Sequence, residues 1–296
     1  MSRGLGDLPV ELVLNIVEWA CEDETPQSMH KMLLVNRLFY RLVLPYLYKR
    51  LSEQELLANT DRSTTLLLKL LFDPIKRELV HVLDLMSYIG SAESPELSKA
   101  SDSPYTKKMQ AETHRLVELV LRYEERHEIQ KLWRDNFLNK SSKDAFFALA
   151  LMCLPNLKEL GTYNANTDFI IEYAYIYEGL LSASKHPESG ISRPFARIEK
   201  FTLGGDGNKY PYDPYPLAFA AGLPSLKEIS CSELGDGDNY HQEDTDPRFM
   251  KLEPKSSDIT SISLRPRCKL LGEHLIRCLA SVKALEHFDY EIGHSW

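Results

Sequence analysis

One short phrase recurs along this chain and limits the folds open to it. Two apolar residues three apart are followed, two later, by a third that is usually apolar. The copies are Val80, Leu83, Leu85; Leu157, Leu160, Thr162; Ile198, Phe201, Leu203; Leu226, Ile229, Cys231; Ile259, Ile262, Leu264; and Leu285, Phe288, Tyr290. The second and third members are two apart, so on a strand they point to one side. Several copies follow an apolar helical segment ending in a turn: ALALMCLPN before Leu157, LAFAAGLPS before Leu226 and HLIRCLASVKA before Leu285. LPNLKEL and LPSLKEI are almost the same sentence. One such helix–turn–strand unit cannot bury its apolar face alone. Stacked units can, and stacking predicts a curved parallel sheet with an open concave face.

This pattern resembles the leucine-rich repeat. The last five copies begin at 157, 198, 226, 259 and 285, so the spacing runs from 26 to 41 residues. Regular leucine-rich repeats are tighter, roughly 20–29 residues. The excess lies in the stretches 204–216 and 232–258, and the family's asparagine position is poorly matched. The resemblance is therefore to an irregular leucine-rich solenoid. The alternative is a non-repeating α/β domain whose strands share a pattern.

A second feature lies in the first fifty residues. Leu12, Ile16 and Trp19 follow a helical spacing, with Leu8 and Pro9 at the entry, and Val35, Leu38, Phe39 and Leu42 repeat it. A segment this short buries too little surface to stand alone, so a partner or the rest of the chain must cover its apolar face. These residues resemble an F-box. Leu8, Pro9, Glu11, Leu12 and Ile16 match its Leu-Pro-x-Glu-Leu-x-x-x-Ile opening. Met29, Met32, Val35, Arg37 and Phe39 match its second half, and Leu44, Pro45, Tyr46, Leu47 and Tyr48 its ending. The resemblance covers about one sixth of the chain. It departs from the family at residues 20–28 (ACEDETPQS), a longer and more acidic link between helices. Irregular leucine-rich solenoids often follow an F-box in fungal proteins, so the two resemblances support each other.

Composition removes other classes. The chain has 296 residues, 43% hydrophobic and 26% charged, with a formal net charge of −8. It carries no basic stripe of the kind that grips a phosphate backbone, so nucleic acid is not an expected partner. It has no apolar run long enough to span a bilayer, and its N-terminus lacks the apolar core of a signal peptide, so no membrane association is expected. Five widely spaced cysteines, Cys21, Cys153, Cys231, Cys268 and Cys278, do not suggest a disulfide framework. The expected location is cytoplasmic or nuclear.

No constellation of catalytic or metal-binding type emerges. There is no Cys-x-x-Cys, His-x-x-x-His or His-Glu-x-x-His. Cys268 and Cys278 flank Leu270, Leu271, Leu275 and Ile276 and read as buried structural thiols. The glycines at 204, 205 and 207 lack a following Gly-Lys-Ser/Thr and are followed by Pro211, Pro214 and Pro216, so they read as a turn. The acidic run 233–246 lacks the spaced ligands of a calcium loop. Two loops suit recognition better. KYPYDPYP (209–216) sets Tyr210, Tyr212 and Tyr215 among prolines, which lower ordering entropy. The acidic stretch containing Asp236 and Asp238 would meet a basic partner.

The expected fold is α/β (α+β): a small helical F-box over residues 1–51, then an irregular leucine-rich-repeat-like solenoid over 52–296, with a mobile loop at 90–104. Helices are expected over 111–133 and 144–154. The F-box resemblance implies docking on a Skp-type adaptor, and through it a cullin. Leu8, Pro9, Leu12, Ile16, Val35 and Phe39 would lie at or beneath that surface. The repeats would then hold an unknown protein target for an SCF-type ubiquitin ligase, with no catalytic residue, cofactor or metal from this chain. The competing reading is a leucine-rich scaffold that never joins a ligase. An enzyme with an unrecognised site would need a pocket of convergent polar groups.

Overall fold

In a computed structural model of the protein, the second and third members of every copy of the repeated phrase lie on a strand. The structure describes residues 8–22, 26–52, 73–85, 104–139, 143–163, 167–204, 215–232, 253–268 and 273–292. Seven strands, β1 (Arg50–Ser52), β2 (Val82–Leu85), β3 (Glu159–Tyr163), β4 (Lys200–Gly204), β5 (Glu228–Cys231), β6 (Ser261–Cys268) and β7 (His287–Ile292), form one mixed α/β assembly's parallel sheet. Their spatial order is their chain order, so each strand pairs with the one before it.

The register aligns the phrase across the sheet. Leu51, Leu83, Leu160, Phe201, Ile229, Ile262 and Phe288 form one row, and Leu203, Cys231, Leu264 and Tyr290 belong to the next row on that side. The first row is buried from Leu51 to Ile262 and emerges at the edge, where Phe288 is exposed. The first members of the phrase, Val80, Leu157, Ile198, Leu226 and Ile259, are buried at the turns into the strands, while Leu285 is exposed. Burying each aliphatic side chain contributes about 1.5–3 kcal/mol, which is why the spacing recurs.

The helices that precede the strands share this core, except the one-turn helix Pro74–Arg77, which buries no residue. They are α4 (Pro74–Arg77), α5 (Pro104–Tyr123), α6 (His127–Trp133), α7 (Lys143–Met152), α8 (Thr167–Ser184), α9 (Tyr215–Ala221) and α10 (Glu273–Ser281). Asp73 caps α4 by accepting from the Ile75 and Lys76 amides. The helix expected over 111–133 is broken at 124–126, where the Glu124 carboxylate is buried and takes both the Arg126 backbone amide and its guanidinium. Six residues of π-helix, Arg134–Asn139, follow α6. In the second half of α8, Tyr175, Ile176, Tyr177, Leu180 and Ala183 are all buried, so more than one side of the helix faces the core.

At the N-terminus three helices stand where two were expected: α1 (Val10–Glu22), α2 (Pro26–Leu33) and α3 (Arg37–Lys49). Most of the 20–28 link is helix, and residues 23–25 lie outside the described residues. Asn36 caps α3, its side-chain oxygen accepting from the Phe39 amide at 2.9 Å. Val13, Val17, Cys21, Phe39 and Val43 make a small core separate from that under the sheet. The boundary expected at residue 51 falls inside β1, because α3 runs straight into the sheet. The expected loop at 90–104 lies outside the described residues except for Pro104, the first residue of α5.

Candidate functional site

The three N-terminal helices leave much apolar surface uncovered. In α1 the inward stripe is Val13, Val17 and Cys21. A residue one position earlier is rotated about 100° around a helix, so Leu12 and Ile16 face away from that core. They are 50% and 41% exposed, Leu8 is 39% exposed, and Pro9 lies at the surface. Val35 sits in the turn between α2 and α3, held by its amide to the Met32 carbonyl at 3.1 Å, and is 62% exposed. Single exposed apolar residues are ordinary on a protein surface; a concentration of them on one small unit marks an interaction site.

Phe39 is the exception among the six expected docking residues. It is buried against Val13, Val17 and Val43, so it supports the surface from beneath and does not form it. Two residues outside that set are more exposed than Leu8, Leu12, Ile16 or Val35: Trp19 at 78% and Leu34 at 86%. A signal for Leu34 was present in the sequence. Leu33, Leu34 and Val35 run directly into the Asn36 cap, and a turn of that length cannot turn all three inward.

The sheet has a second, polar face. Arg50, Val82, Glu159, Lys200, Glu228, Ser261 and His287 form one row across it, and Ser52, Asp84, Gly161, Thr202, Ser230, Ser263 and Asp289 the next. Lys200 and Glu228 pair across neighbouring strands at 2.7 Å, and Arg265 pairs with Asp289. Both pairs are solvent-exposed and worth little in stability. The small side chains of the second row leave a floor bordered by charge. Of the loop residues expected to meet a target, Tyr210, Tyr212, Asp236 and Asp238 lie outside the described residues. Tyr215 is described only as the first residue of α9.

The thiols do not form a reactive centre. Cys231, Cys268 and Cys278 are buried together where β5, β6 and α10 meet, and the Cys268 thiol donates to the Cys231 carbonyl at 3.5 Å. Burial pushes the Cys278 thiol up to about 12 and the Cys153 thiol up to about 11. Burial, with the neighbouring thiols Cys268 and Cys278, pushes Cys231 well up too. Thiols held protonated in this way are poor nucleophiles and poor metal ligands. Among the described residues no group of three or more His, Cys, Asp or Glu is placed to hold a metal ion, and no helix is long and apolar enough to cross a membrane. The chain matches no protein-family model, no curated protein and no solved structure.

Proposed function

We propose that this protein is a substrate-recognition subunit of an SCF-type, cullin–RING ubiquitin ligase. Its three N-terminal helices act as an F-box that docks on a Skp-type adaptor. Its sheet and helices act as an irregular leucine-rich solenoid that holds a target protein on the polar face. The observation that carries this reading is the placement of Leu8, Pro9, Leu12, Ile16 and Val35. These residues match the F-box pattern, and all lie outside the small core that holds the helices together. The sequential parallel order of the strands agrees with the solenoid half of the reading.

The energetics are adequate. Each Leu or Ile removed from water contributes about 1.5–3 kcal/mol, so a handful of anchors exceeds the cost of association. The ligase role needs no acid, base or nucleophile from this chain. Holding a target beside a charged E2 raises its effective concentration, and that is the whole contribution.

The test is capture of a Skp-type adaptor by the full chain, compared with Leu12→Asp and Ile16→Asp. The wild type is expected to bind and both variants to fail while keeping the wild-type circular dichroism spectrum. A folded wild type that captures no adaptor, or variants that capture it undiminished, would sink the ligase reading and leave a leucine-rich scaffold outside any ligase.

A further inference from the structure

The strands begin along an edge whose charge runs against that of the whole chain. Each strand is preceded by one residue that carries the backbone ladder past the sheet's end. The His81 amide donates to the Lys49 carbonyl at 3.0 Å, the Lys158 amide to His81 at 2.8 Å, the Glu199 amide to Lys158 at 2.8 Å and the Lys227 amide to Glu199 at 2.8 Å. Lys49, His81, Lys158, Glu199 and Lys227 therefore stand side by side at the strand spacing, about 4.8 Å.

A second line of contacts brings one more cation to this edge. The Asn156 side-chain amide donates to the Glu78 carbonyl at 2.7 Å, and its oxygen accepts from the Arg197 guanidinium. Asn156 thus fixes Arg197 two residues ahead of Glu199. The result is Lys49, Lys158, Arg197 and Lys227 against the carboxylates of Glu199, 3.4 Å from Lys158, and Asp258. Asp258 pairs with Lys283, and its backbone carbonyl accepts from the Lys227 ammonium at 3.3 Å. Beyond β5 the ladder runs on through Thr260 to Glu286 and leaves the cationic stretch. Lys49, Lys158, Arg197 and Lys227 are exposed, in a chain of net charge −8. The imidazole of His81 reports the same field: burial, then the charges of Lys49, Lys158 and Arg197, hold its pKa below the usual histidine value.

We propose that this strand-entry edge, from β1 to β5, is a docking site for an acidic helix of a protein partner. The match is one of charge and spacing. Cations arranged in a line suit a line of carboxylates better than one compact anion. Lys49, Lys158 and Lys227 stand at the entries of alternate strands, β1, β3 and β5, about 10 Å apart, and glutamates at i and i+7 on a helix stand about 10.5 Å apart. Such a contact speeds encounter and selects partners, and it weakens steeply with salt. Except for Lys49, the last residue of α3, it lies outside the N-terminal helices, and it does not depend on the ligase reading.

The test uses the full chain and a fluorescent helical peptide with glutamates at i, i+7 spacing on one face. A second peptide has the same composition in scrambled order, and a third carries phosphoserines. At low ionic strength the first peptide is expected to bind more tightly than the scrambled one. Binding should fall about tenfold or more in Lys158→Glu/Arg197→Glu, and in the milder Lys158→Gln/Arg197→Gln if charge reversal disturbs folding. No binding of the first peptide to folded wild type, or equal binding by the folded variants, overturns the proposal. So does a phosphoserine peptide that binds through Lys158 and Arg197 while the glutamate peptide does not. Adaptor capture measured on the same variants separates this result from the fate of the ligase reading, because neither substitution touches the N-terminal helices.

Discussion

The α-carbon of Gly179 lies against the indole of Trp133. A β-carbon placed on Gly179 would come 2.5 Å from Trp133 Nε1, and the same nitrogen donates to the Tyr175 carbonyl at 3.1 Å. Trp133 is fully buried and its ring tilts against Phe137 at 4.9 Å between centroids. Only a residue without a side chain lets α8 approach α6 this closely.

Gly179→Ala therefore forces the indole off its carbonyl or the helices apart. The helix-propensity gain of alanine, about 1 kcal/mol, is smaller than the overpacking cost of about 1–3 kcal/mol plus a lost buried hydrogen bond. The variant is expected to be less stable by about 1–3 kcal/mol in urea unfolding. A variant as stable as wild type would show that the close approach is not needed.

Glu124 and Arg126 make the joint between α5 and α6, and Arg126 extends it to Glu178 of α8 at 2.8 Å. Burial raises the pKa of Glu124, but the hydrogen bonds and charge of Arg126 outweigh it and hold the carboxyl below its usual range. A lowered folded-state pKa means the unfolded chain binds more protons as pH falls. This contribution is therefore complete above the unfolded carboxylate value and is lost as pH drops through the folded one. Arg126→Ala removes the guanidinium's hydrogen bonds and charge but keeps the backbone amide of residue 126 and the charge of Lys185, so the lowering that opposes burial should shrink, and with it the stability lost on acidification. At neutral pH the loss should be about 2–3 kcal/mol, less than for a fully buried pair because Arg126 is partly solvated. Urea unfolding across pH, wild type against variant, reads both the size and the shallower slope; a variant that loses stability with acid as steeply as wild type would contradict this role of Arg126.

Phe39 and Leu12 are expected to separate folding from docking. Phe39→Ala removes the largest side chain of the small N-terminal core and should destabilise the three-helix unit by about 3–4 kcal/mol. Leu12→Ala lies outside that core and should change its stability by less than about 1 kcal/mol. Hydrogen exchange in α1 and α3 measures both. Equal loss of protection in the two variants would contradict the inward stripe of Val13, Val17 and Cys21.

The buried thiols should be silent in the native chain. At mildly alkaline pH a thiol whose pKa is about 12 is almost entirely protonated, so Cys278 should react with an aromatic disulfide reagent far more slowly than in denaturant. Cys231 and Cys268 should behave in the same way, since both are buried. Rapid native labelling at any of the three positions, located by peptide mass, would show that the β5–β6–α10 region opens.

Legibility of the fold followed the strength of each local signal. The six strands of the repeated phrase could be placed from spacing alone, because two same-side apolar residues after a turn are a local requirement of a buried strand row. The first strand could not. Arg50–Ser52 is three residues long, follows a helix without a break, and becomes a strand only because β2 offers its edge. The single helix expected over 111–133 failed at Glu124, where an acidic residue with no local sign of burial is held inside by Arg126.

The same distinction runs through the candidate docking surface. The amino-acid sequence by itself determined that α1 is helical and apolar and that a row of strands must share one core; it ran Val35 into a helix, where the structure puts a turn before the Asn36 cap. It could not determine which side of α1 turns inward. Leu12, Ile16 and Trp19 have helical spacing, and so do Val13, Val17 and Cys21. Tertiary structure decided between them, because Phe39 and Val43 of α3 pack on only one of the two stripes and leave the other in water. Tertiary structure alone also gathered Lys49, Lys158, Arg197 and Lys227. Residues far apart in the chain become neighbours only when parallel strands stack in register and carry their entry turns to one edge.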